Sequence, residues 1–83
     1  MNREVVLFHL REAAEQLDKS IEALTNDTDY DIGDFRVEMS HLYQHLNTAW
    51  NGQNQTDQQF QECTDEDFYQ FRKFPTDEYL LLN

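Results

Sequence analysis

Two apolar stripes with the same spacing constrain this chain more than any other feature. Leu10, Ala14, Leu17, Ile21 and Leu24 stand 4, 3, 4 and 3 residues apart, and Phe35, Met39, Leu42, Leu46 and Ala49 repeat those intervals. That is the period of one face of an α-helix, not the alternation of a strand. Between the stripes lies Asn26-Asp27-Thr28-Asp29-Tyr30-Asp31, whose Asn and Asp side chains bond their own backbone and suit turns. Asp31 is placed to cap a second helix, Asp34 falls in its positively polarised first turn, and Gly52 stops it. The spacing predicts helices over about Arg3 to Leu24 and Ile32 to Asn51. So short a connection makes them antiparallel neighbours. In the register this suggests, Leu24 faces Phe35, Ile21 faces Met39 and Leu17 faces Leu42. Ala14 meets Leu46 and Leu10 meets Ala49, so each Ala opposes a larger residue and the layers interdigitate.

The rest of the chain reads as cover for this hairpin. Gln53 to Asp57 is a polar linker. Thr56-x-x-Gln59 forms a capping-box pattern opening a short turn with Phe60 and Cys63. Thr64 caps a further helix expected over about Asp65 to Lys73, with Arg72 and Lys73 at its negative end and Pro75 beyond it. Phe68, Phe71 and Phe74 give this segment an apolar face. Val5 and Phe8 lie off the main stripe and require a second neighbour near the amino-terminal end. Two helices cannot enclose a core by themselves. Either the Phe-rich segment covers them or two hairpins pair, and both can hold together. The expected fold is all-α: a long antiparallel helical hairpin (residues 1–52) and an aromatic-rich covering segment (53–83), with one or two short helices and an extended tail packed across. These make a single helical domain, 1–83, with a four-helix bundle dimer as its paired form.

Charge narrows the function classes. The 83 residues carry 17 acidic side chains against 6 basic ones, a net charge of -11. Arg3, Arg11, Lys19, Arg36, Arg72 and Lys73 are scattered rather than clustered, which argues against nucleic acid and anionic membranes as partners. A partner attracted by charge would be basic, and a chain this acidic could act as a decoy of nucleic acid on such a surface. The 13% aromatic content argues for a folded domain rather than an acidic tail. No apolar run approaches the ~18 residues of a membrane span, and Met1 to Ser20 lacks the apolar core of a secretory signal. With a single Cys, the expectation is a cytoplasmic protein.

Four constellations could carry chemistry. Asp27, Asp29, Asp31 and Glu38 match positions 1, 3, 5 and 12 of a calcium loop. However, Ile32 occupies the position that needs Gly, and the second helix begins too early to leave a loop. An acidic cap fits better. Glu38-x-x-His41-x-x-x-His45 places three ligand-capable side chains on one flank of the second helix, Glu38 and His45 only about 20° apart. The Glu-x-x-His spacing occurs in di-iron bundles, but those need two such motifs and further carboxylates. These three residues are the candidate metal ligands. Cys63 precedes a helix start, which would favour a thiolate, yet Asp65, Glu66 and Asp67 oppose it; a small buried residue is expected there. Tyr43 and Trp50, seven residues apart, are the candidate partner surface, since such residues dominate interfaces. They would equally receive the phenylalanines of the covering segment. Phosphate loops, nucleophile elbows and dinucleotide fingerprints are absent from the sequence. The expected role is a small non-enzymatic interaction module, with no cofactor and with a protein or a second copy of itself as partner.

Overall fold

A computed structural model describes residues 1–76, and these form four helices in order: α1 (Arg3–Asn26), α2 (Ile32–Asn51), α3 (Asp57–Glu62) and α4 (Asp65–Phe71). The tail from Asp77 to Asn83, expected to pack across the body, lies outside the described residues. α1 and α2 pack against each other as the expected antiparallel hairpin, and α4 packs on α2. The helix starts follow from capping. Asp31 accepts from the Asp34 backbone while the Asp34 carboxylate accepts from the Asp31 backbone. Thr56 and Gln59 form the same reciprocal box on α3, and Thr64 Oγ1 accepts from the Asp67 N–H. Such caps are each worth ~1 kcal/mol. α4 ends at Phe71, two residues short of the expected end, because Arg72 is its cap and Lys73 has left the helix.

The seam between the long helices differs from the expected one. The residues sealed on α1 are Val5 (2% exposed), Ala13 (4%) and Ser20 (2%), whereas Ile21 and Leu24 are 55% and 57% exposed. Leu10, Leu17 and Leu46 are also exposed. At 100° per residue, the sealed line of α1 lies roughly 100° round the helix from the leucine stripe. The physical reason is close approach: small side chains and internally bonded polar ones line the seam. Ser20 Oγ donates to Glu38 Oε2 across it at 3.3 Å, and His9 meets His45. The register is near the expected one, since Leu10, Leu46 and Ala49 line one shallow hollow. The large residues of the first stripe therefore flank the joint, whereas the second stripe contributes Ala49, 7% exposed, to the buried core.

The second neighbour required by Val5 and Phe8 is the segment after α2. Asn2 caps α1 and also donates through Nδ2 to the Gln55 carbonyl (2.9 Å) and to Asp57 Oδ1 (2.8 Å). Its backbone N–H donates to the Gln53 carbonyl at 2.6 Å. Phe8 then meets Phe60 of α3 edge-on, ring centres 5.3 Å apart. α4 is held by α2: Asn47 Nδ2 donates to the Arg72 carbonyl (3.0 Å), and Asn51 Nδ2 to the carbonyls of Phe71 (2.7 Å) and Lys73 (2.6 Å). These bonds satisfy carbonyls that a helix end leaves without an internal partner.

Candidate functional site

α3 and α4 cover one side of the two-helix slab. The opposite side is bare. Leu10, Leu17, Ile21 and Leu24 of α1 and Phe35, Leu46 and Trp50 of α2 are all exposed. Helical periodicity in an antiparallel pair turns both stripes to the same side, and the hollow shared by Val6, Leu10, Leu46 and Trp50 is where they meet. The carboxylates of the two helices stay off this side. Glu4, Glu12, Glu15, Asp18, Glu22 and Asp34 lie roughly 80° or more round their helices from the centre of the stripe, and Glu38, about 60° round, turns to Ser20 across the seam. In a chain of net charge -11, this line of exposed apolar residues thus carries no acid.

Tyr43 and Trp50 sit at the outer edge of that face. Tyr43 is exposed and its ring lies 5.3 Å from that of Phe74. Trp50 shares one hollow with the bare face and another with Phe74 and Pro75. The covering segment thus reaches Tyr43 with Phe74, while Phe60, Phe68 and Phe71 turn to the other side of the slab.

The three candidate metal ligands have separate surroundings. Glu38 accepts from Ser20 and from the Tyr30 hydroxyl. That acceptance pushes the Tyr30 phenol up to about 12, with loss of water around it and the carboxylate's charge acting in the same direction. His41 is exposed beside Ser40, Tyr43 and Lys73. His45 turns inward, its Nδ1 3.3 Å from Nδ1 of His9. Among the described residues no three His, Cys, Asp or Glu side chains converge as a metal site. The turn acids likewise serve the backbone: Asp27 Oδ1 accepts from the Asp29 N–H, and Asp31 caps α2.

Two residues depart from the sequence reading. Cys63, expected to be buried, is exposed and caps α3 in the left-handed region at φ 39°. His9, which belongs to none of the four candidate constellations, is half-buried against His45 and the edge of Phe60. Burial, and secondly the charge of His45, lower its pKa from the ordinary 6.5. The signal for this pair was present in the sequence: with Val5 rather than Leu10 as the seam residue, His9 falls on the seam one turn later. Compared with protein-family models, curated proteins and solved structures, the chain shows no significant match. Among the described residues, no helix is long and apolar enough to cross a membrane.

Proposed function

We propose that this chain is a small, acidic, non-enzymatic interaction module whose working surface is the bare side of the hairpin and whose partner is a second copy. Two copies meeting by that side form a four-helix bundle. The observation that carries this reading is the separation of charge from apolar surface: the exposed leucines, Phe35 and Trp50 share one side, and the helix carboxylates occupy the others. Pairing identical sides buries apolar area from both partners and desolvates no carboxylate, a cost that often cancels the gain from buried charge. A two-fold dimer is also the commonest closed assembly, built from one self-complementary patch.

Sedimentation equilibrium at micromolar concentration tests it. The 10.0 kDa chain should sediment as a dimer, and Leu17→Glu should return it to the monomer. Leu17 is exposed within one chain, so the substitution leaves monomer helicity unchanged. A wild-type monomer throughout the micromolar range, or a Leu17→Glu dimer, overturns the reading.

A further inference from the structure

A second surface lies on the other side of the slab, under α3 and α4. There the rings of Phe8, Phe60, Phe68 and Phe71 wall an open cavity of about 320 Å³, with Gln55 and Asp67 on its lining. The volume lies at the small end of the ~300–1,000 Å³ typical of ligand clefts, which are mostly apolar with a few converging polar groups. Gln55 is 8% exposed. Its backbone is fully used, the N–H donating to the Gly52 carbonyl and the C=O accepting from Asn2. Among the described residues its side-chain amide finds no hydrogen-bond partner. No polar side-chain atom among them is both sealed from solvent and unbonded, so this amide keeps some access to solvent, and Gln55 is one of the residues lining the cavity. A side-chain amide without a protein partner beside an aromatic hollow keeps its N–H donors and its acceptor oxygen for a ligand.

We infer that the cavity binds a small, neutral or cationic aromatic molecule carrying a hydrogen-bonding N–H. The four rings supply edges and faces for a planar ligand. The Gln55 carbonyl oxygen accepts the ligand's N–H. Asp67 beside the cavity, on a chain of net charge -11, attracts a cation and repels an anion. This site is separate from the bare face and stands whether or not two copies pair there.

Indole, tryptamine and indole-3-acetate share one ring system and differ in charge, so they separate these features. Titration followed by backbone and side-chain amide NMR should show saturable shifts at Gln55, Phe60 and Phe68 with indole and tryptamine. Tryptamine should bind at least about threefold more tightly than indole-3-acetate, the scale of a partly exposed charge contact. Gln55→Leu should weaken indole about fivefold, the share of one hydrogen bond. Leu17→Glu, on the opposite side, should bind indole as the wild type does. Cys63 borders the cavity and gives a readout that does not depend on a variant folding. Bound indole should slow its alkylation by N-ethylmaleimide, and alkylated protein should no longer take up indole. Absence of saturable binding, shifts confined to Leu10, Leu46 and Trp50, a folded Gln55→Leu with undiminished affinity, or unimpaired binding after alkylation would each overturn the inference.

Discussion

The Nδ1 atoms of His9 and His45 lie 3.3 Å apart across the joint between α1 and α2. At that distance one imidazole donates and the other accepts, so at least one ring must be neutral at the shared nitrogen. The pair joins the helices beside the rings of Phe8 and Phe60, and Asp67 is the acid that lines the adjoining cavity.

This pairing predicts a loss of stability in mild acid. The pKa of His9 is lowered in the folded state, so the unfolded chain takes up its proton first. The contribution is therefore complete above the unfolded value of about 6.5 and is lost as pH falls through the lower folded value. Urea midpoints measured from neutral to mildly acidic pH should decline over that window. His9→Leu should flatten the decline. An undiminished slope in that variant would place its origin elsewhere.

Tyr30 and Glu38 predict the opposite slope at high pH. The phenol is raised to about 12 in the folded protein, so its contribution is present below the ordinary value near 10 and is lost as pH rises through the folded one. Tyr30→Phe should lower stability at neutral pH, since it removes one hydrogen bond to Glu38. It should also remove the latest-titrating phenolate from the near-ultraviolet absorbance curve. A curve unchanged in its alkaline limb would contradict the bond.

Asn51 holds the end of α4 through two carbonyls. Asn51→Ala should cost about 1–2 kcal/mol and should loosen α4 before the hairpin. Hydrogen exchange resolves the two: the Phe68 and Arg72 amides should exchange faster, and those of Ser20 and Leu42 should not. Uniform acceleration across all four would mean that α4 and the hairpin open together.

Cys63 holds a left-handed backbone conformation, at φ 39°, which glycine adopts freely and other residues at a cost of roughly 1–2 kcal/mol. Cys63→Gly should therefore raise stability, by about 0.5–1 kcal/mol once the greater freedom of glycine in the unfolded chain is counted. Calorimetry should show a transition a few degrees higher. A lower transition would mean that the thiol's contacts outweigh the backbone strain.

The legibility of this fold divides along a physical line. Signals carried by local chemistry were readable: the Asp31, Thr56 and Thr64 caps, the break at Asn26 to Asp31 and the extent of α2 all follow from backbone groups needing partners within a few residues. The joint between the helices was not readable in that way. Matching the largest side chains placed Leu17 against Leu42, but Leu17 is exposed and the sealed positions of α1 are Val5, Ala13 and Ser20, while of the second stripe Ala49 is sealed. Hydrophobic spacing shows which residues share a face of one helix; it does not show what that face meets. The same ambiguity separated Glu38 from His45. Their shared flank on one helix was visible, whereas their partners, Tyr30, Ser20 and His9, come from elsewhere in the chain.

The exclusion of carboxylates from the bare face has a consequence for ionic strength. Two copies brought together there each carry a net charge of -11 on their remaining surfaces, and those charges repel through water over about 10 Å at 0.1 M salt. Dissolved electrolyte screens that repulsion and leaves the apolar attraction intact, so added sodium chloride should tighten the pair. A basic partner held by its charges would let go under the same change.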